Sequence, residues 1–245
     1  MRWPLPILGL CATLAAAPVL AQTVVIDLSS HKIAITSGFT GAEVLLFGTR
    51  DGDGDVVVVL RGPEKAAVVR RKARVAGMWL NREEVIFAAA PGYYAVAASR
   101  PLAEIADAAL LAEHRIGFEN VHLSPSFEGS GAEIDAFRAA LPRILERQGL
   151  VREAVAPIGH VGKRLFRTTF FFPANVPTGL FHADVYLFED GVLLSKRTAA
   201  LQVSKSGFAA TMFGFSRQQP LLYGLLAVAV ALMAGWLAGV VFRKS

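Results

Sequence analysis

Arg70, Lys72 and Arg74 occupy alternate positions in Val68-Val69-Arg70-Arg71-Lys72-Ala73-Arg74-Val75. Side chains alternate between the faces of a strand, so the three cations share one face. Such a row can take an oxyanion such as sulfite or sulfate, or a lipid headgroup, because the planar fork of arginine matches oxyanion geometry. It is also the pattern of a solvated sheet face, which is the favoured reading. Asp51-Gly52-Asp53-Gly54-Asp55 has the aspartate spacing of a calcium loop. Val56 stands where that loop needs glycine, however, and Gly62 where it needs a bidentate glutamate, so a tight hairpin turn is expected. The five histidines, His31, His114, His122, His160 and His182, show neither HExxH nor another metal-ligand spacing. The sole cysteine, Cys11, lies in an N-terminal apolar stretch, so the body has no disulfide and no cysteine metal site. No metal and no cofactor is expected.

One pair of motifs imitates an enzyme. Ser29-Ser30-His31-Lys32 fits SxxK, and Lys205-Ser206-Gly207 resembles the KTG triplet of penicillin-binding proteins, in the right order. That chemistry needs the serine at a helix start with the lysine one turn away. Here the serine precedes a predicted strand, and the intermediate SDN-type motif is missing. GxSxG, GxxxxGK[ST] and GxGxxG are missing too. The expectation is a protein that is not an enzyme, with an envelope hydrolase as the remote alternative.

The element that positions everything else is Leu221–Phe242, LLYGLLAVAVALMAGWLAGVVF, a run without a charged side chain. About twenty apolar residues cross a ~30 Å hydrocarbon core as a helix, the form that satisfies its own backbone in lipid. Arg243 and Lys244 follow, which by the positive-inside rule places the C-terminal end in the cytoplasm. Within the span Ala227, Ala231, Gly235 and Gly239 fall at steps of four and line one side, where small residues let a second helix approach. That side is a candidate contact for another copy of the chain or for a membrane partner. Residues 1–21 read as a signal peptide: Arg2 is the charged start, Leu5–Leu20 the apolar stretch, and Val19-Leu20-Ala21 the cleavage site, with an uncleaved anchor as the alternative. The body is thus expected in the periplasm, on a single pass through the inner membrane.

The body itself is nearly neutral. The formal charge of +5 falls to +1 once Arg2, Arg217, Arg243 and Lys244 are set aside, leaving 21 basic against 20 acidic residues. That argues against nucleic-acid binding. Residues 22–100 carry about seven short strand signals separated by turns, the pattern of an immunoglobulin-like β-sandwich. Among them, Trp79 is expected to anchor the core. Residues 101–150 read as a two-helix insert. Leu102, Ile105, Ala106, Ala109 and Leu110 form the first stripe, stopped by Gly117. Ser130 and Glu133 form a capping box for the second helix, in which Pro142 predicts a kink or a restart, and Gly149 ends it. Residues 151–206 return to strands, with Glu189-Asp190-Gly191 as a hairpin turn, and form a second β unit that leans on the helices or on the first unit. Pro91-Gly92-Tyr93 and Pro177-Thr178-Gly179-Leu180-Phe181 look like two equivalent corners, proline and glycine leading an aromatic into a strand. Residues 207–220, with Phe208, Phe213 and Phe215, form a juxtamembrane linker into the span at 221–242. The fold class is mainly β, with a helical insert and one C-terminal transmembrane helix.

With these features in view, the chain resembles a family of uncharacterised alphaproteobacterial membrane proteins, the Alph_Pro_TM family. The resemblance rests on the Gly41–Gly48 strand, VVVVLRGP at 56–63, RRKARVAGMWLN at 70–81 and Tyr93–Leu102 ending in SRPL. It continues through HRIGFE at 114–119, Pro173–Gly179, LLYG at 221–224 and Phe242-Arg243. It implies an exported membrane protein, often encoded beside a sulfite-exporter-like (TauE/SafE) permease, and it carries no catalytic or ligand-binding residues. The expected function is that of a membrane-anchored periplasmic accessory or binding protein, with a permease as its partner. The alternative is an oxyanion-binding module using Arg70, Lys72 and Arg74.

Overall fold

The computed structural model describes residues 24–75, 77–126, 131–152, 154–207 and 215–242. The signal at 1–21, the capping serine Ser130, Phe208, Phe213 and the Arg243-Lys244 pair lie outside the described residues. The chain is mainly β. β1 (Val24–Leu28), β3 (Gly41–Arg50), β9 (Gly159–Val161) and β10 (Leu165–Pro173) form an antiparallel sheet in the order β1-β3-β10-β9. A second, six-stranded sheet runs β2-β12-β11-β4-β7-β8. Its members are β2 (Lys32–Ile35), β4 (Asp55–Arg61), β7 (Tyr94–Ala98), β8 (Ala156–Pro157), β11 (Gly179–Glu189) and β12 (Val192–Lys205). β5 (Glu64–Val75) and β6 (Met78–Pro91) form a two-stranded sheet of their own, a long arm inserted between β4 and β7, with Phe87 of β6 also bridging Pro125.

Residues 22–100 and 151–206 therefore share both principal sheets. β3 lies between β1 and β10, and β4 between β11 and β7. The physical reason is the composition of β4. Val56–Leu60 are all fully or nearly fully buried, which demands cover on both faces and a partner on both edges. Its own stretch of chain supplies β7 for one edge, and β11, itself an apolar run, supplies the other. Asp51–Gly54 accordingly joins strands of different sheets, not the two arms of a hairpin. Asp55, at its end, accepts hydrogen bonds from Ser99 Oγ (2.8 Å) and Arg100 Nε (3.0 Å). Asp190-Gly191 does form the expected tight turn, with φ of 48° and 80°.

The two proline–glycine corners meet. A Cβ on Gly92 would lie 2.8 Å from the carbonyl oxygen of Pro63, and one on Gly179 (φ 146°) would lie 2.8 Å from the Pro63 ring. Both positions need glycine for this close approach. The aromatics they deliver pack with Phe172 of β10: Tyr93–Phe172 centroids are 5.2 Å apart, Phe172–Phe181 5.5 Å and Tyr93–Phe181 5.9 Å. Burial of each such side chain contributes roughly 1.5–3 kcal/mol, and here it joins the first sheet to the second. Val44, Leu46, Phe166 and Phe170 continue the same core.

The other face of the six-stranded sheet is covered by residues 102–120. One helix was expected there; two short ones form, α1 (Leu102–Ile105) and α2 (Ala108–Glu113), followed by a 3₁₀ turn at Phe118–Asn120. Asp107 causes the break by capping α2, accepting from the Leu110 N–H at 2.7 Å. Gly117, the expected helix stop, lies beyond the end of α2 at Glu113 and with φ 93° leads instead into the 3₁₀ turn. α3 (Gly131–Arg147) runs through Pro142 without restarting, and Gly149, φ 70°, follows just past its end. It packs against β5, with Phe137 buried beneath the Arg71 guanidinium, 5.1 Å from ring centroid to Cζ. Trp79 corrects the expectation of a core anchor. It sits at the tip of the arm and is 68% exposed, because β5 and β6 run on past the body and turn at Gly77, φ 86°.

Candidate functional site

Alternation on four neighbouring strands lines up one polar patch in the middle of the six-stranded sheet. Across the register, Tyr94 on β7 stands opposite Arg61 on β4, which stands opposite His182 on β11. Two residues along, Val59 faces Asp184 on β11, which faces Thr198 on β12. Tyr94, Arg61, His182, Asp184 and Thr198, with Arg115 and His122, line an open cleft of about 590 Å³.

The interior of this patch is fully engaged. Arg61 Nη1 donates to Asp184 Oδ2, and its Nη2 donates to the carbonyls of His114 and Arg115, both at 2.9 Å. Asp184 Oδ1 accepts from Thr198 Oγ1 at 2.6 Å, and Lys196 Nζ stands 3.8 Å from Oδ2. Tyr94 Oη donates to the Arg115 carbonyl at 3.0 Å. Arg115 takes a left-handed φ of 54°, and its carbonyl receives both Arg61 and Tyr94. Burial, opposed by the Arg61 charge, pushes the Tyr94 phenol well above its ordinary value, so it stays a neutral donor at physiological pH. Together these bonds satisfy a buried ion pair and fasten the α2 segment to the sheet. The two hydroxyls lining the cleft, Tyr94 and Thr198, are both committed to those bonds. What the cleft offers a ligand is the solvent-facing rim: Glu64, Arg115, His122 and His182.

The residues singled out in the sequence lie elsewhere. Arg70, Lys72 and Arg74 share the outward face of β5 and are exposed. Arg70 Nε is paired with Glu84 at 2.6 Å, and on the opposite face Arg71 is paired with Glu83 at 3.0 Å. Lys72 and Arg74 form no ion pair among the described residues, and none of the three lines the central cleft. α4 (Pro220–Phe242) is one unbroken helix with its described side chains exposed along its length. A Cβ on Gly224, Gly235 or Gly239 would meet nothing within 4 Å, and Ala227 and Ala231 are likewise exposed. Each leucine, valine or methionine left in water forgoes roughly 1.5–3 kcal/mol, a loss that a hydrocarbon surrounding removes.

The family model described as "Putative transmembrane protein (Alph_Pro_TM)" matches residues 23–244. The chain belongs to the Alph_Pro_TM family. The match to the Alph_Pro_TM family takes in the body and the span alike. No curated protein and no solved structure matches the chain. Sequence reasoning missed Arg61, Asp184 and Thr198. The available signal was one charge of each sign inside otherwise apolar strands, Arg61 closing VVVVLR and Asp184 inside FHADVYLF.

Proposed function

We propose that the protein is a non-enzymatic binding module, held at the periplasmic face of the inner membrane by α4, that acts as an accessory to an integral membrane partner such as a permease. The observation that carries this reading is the state of α4. Its apolar surface, including the line of Ala227, Ala231, Gly235 and Gly239, is uncovered by the body, so it is available to lipid and to a second helix. The engaged hydroxyls of the central cleft favour binding over hydroxyl-based covalent catalysis, since Tyr94 and Thr198 are both held in structural bonds. The signal-like residues 1–21 and the cations Arg243 and Lys244 favour an exported body with the C-terminal end inside.

The test is purification of the full chain from membranes in mild detergent. An integral membrane protein that co-purifies, and is lost when α4 is replaced by an unrelated span, supports the reading. No membrane partner above background, together with tight binding of a small anion by the purified chain, supports the second reading instead. That second reading, an oxyanion module, has its own favouring observation in Lys72 and Arg74, two cations on one face without an acidic partner among the described residues.

A further inference from the structure

The β5–β6 arm has a composition unlike the rest of the body. Beyond Val69 and Val85, the last fully buried residues of its two strands, it extends about six residues on β5, roughly 20 Å at strand rise. Its tip presents large apolar side chains to solvent: Trp79 is 68% exposed, Met78 63% and Leu80 47%. Behind the tip lie Lys72, Arg74 and Arg82, all exposed and none ion-paired among the described residues. Arg74 stands opposite Trp79 in the strand register, and Lys72 opposite Asn81. The two acidic residues of the distal arm, Glu83 and Glu84, are taken by Arg71 and Arg70. The distal arm therefore carries an excess of positive charge immediately behind an apolar, tryptophan-bearing end.

We infer that the tip of this arm inserts into the headgroup region of an anionic phospholipid bilayer, Trp79, Met78 and Leu80 entering the interface while Lys72, Arg74 and Arg82 meet the lipid phosphates. Tryptophan is favoured at that depth because its ring is apolar and its N–H polar. Basic residues beside an inserted apolar cluster gain from an anionic surface. A lone apolar tip would suit a protein groove equally. The three unpaired cations select an anionic surface, and α4 keeps one within constant reach of the arm. The arm gives the tethered body a second point of attachment and so restricts its orientation on the membrane. This rests on the membrane-anchored reading of α4.

The test uses the full chain with Cys11→Ser, carrying an environment-sensitive fluorophore at Met78→Cys and reconstituted through α4 into vesicles. Two compositions are compared: phosphatidylcholine alone, and a mixture of phosphatidylcholine with phosphatidylglycerol, each containing a trace of lipid with a nitroxide near the headgroup. Flotation with the vesicles reports anchoring separately. The fluorophore is expected to be quenched and blue-shifted in the anionic vesicles, and much less so in the neutral ones or at high salt. Lys72→Glu, Arg74→Glu or Arg82→Glu should each lower the ratio of inserted to withdrawn tip by at least about fivefold. A probe at Asp190→Cys, on a turn at the opposite end of β11 from the arm's base, should stay unquenched. Protein that floats while the Met78 probe stays unquenched in both vesicles overturns the inference and leaves the anchor intact. Equal quenching in both overturns the role of the cations. Quenching that appears only after a second membrane protein is added assigns the tip to that protein instead. Protein that fails to float overturns both the anchor and the inference.

Discussion

Arg61 and Asp184 form an ion pair across adjacent strands of the central sheet, and the same guanidinium reaches the carbonyls of His114 and Arg115. One side chain thus links β4, β11 and the segment after α2. Removing one partner of such a pair strands a charge in a largely buried place, while removing both restores an apolar match. Arg61→Met should destabilise the body by about 3 kcal/mol. The double variant Arg61→Met with Asp184→Leu should recover a substantial part of that. Denaturant melts of the native chain, Arg61→Met, Asp184→Leu and the double variant in one detergent give the coupling directly, and additive losses would show that the two side chains act independently.

The second prediction concerns acid. Hydrogen bonds from Arg100, and then from Ser99, hold the Asp55 carboxyl below its usual range against the opposing effect of burial. A carboxylate depressed in the folded state stabilises it above the unfolded value and loses that contribution as pH falls through the folded one. Asp55→Asn should therefore lower Tm at pH 7, and the gap from the native chain should close below about pH 4. A gap that is the same at pH 7 and pH 3 would remove the carboxylate charge from the explanation.

At the alkaline end the same linkage has the opposite sign. Burial pushes the Tyr93 phenol up to about 12, and raises Tyr94 as well. A group raised in the folded state stabilises it below the unfolded value, about 10, and loses that contribution as pH rises through the folded value. Tm should therefore fall from about pH 10 upward. Tyr93→Phe should flatten that fall and cost about 1–2 kcal/mol at pH 7, because the Phe171 carbonyl loses the 2.9 Å bond that Tyr93 Oη donates. Alkaline melts of the two proteins decide it.

The fourth prediction is for the membrane helix. Gly235→Ile with Gly239→Ile keeps α4 apolar but fills the line of small residues. Crosslinking within membranes, to a second copy or to a partner, should fall. Leu226→Ile with Val230→Ile should leave it unchanged. Equal crosslinking in both pairs would make the small residues incidental.

Much of this architecture is legible in the residues because it follows from local rules. The span is set by length and polarity alone, the Asp190-Gly191 turn by tolerance of positive φ, and β4 by an unbroken valine run. Asp51–Gly54 shows where local rules stop. Its glycines and aspartates specify a reversal but not which sheet the chain enters afterwards, and here it changes sheet. Trp79 fails for a related reason: a tryptophan signals a large apolar surface without saying whether the body's own core covers it, and here it stands exposed. The Arg61–Asp184 pair is separated by 123 positions, and no periodicity of either strand reports its partner. Arg70, Lys72 and Arg74 do share a face as alternation requires, but that face belongs to an arm, where no concavity gathers them.

The orientation of the body is the claim on which the functional account depends, and reporter fusions test it most directly. Alkaline phosphatase, which is active only outside the cytoplasm, should be active when fused after Gly207, ahead of α4, and inactive when fused after Ser245, beyond it. Activity only in the second fusion would put the sheets, the cleft and the arm in the cytoplasm and contradict the account.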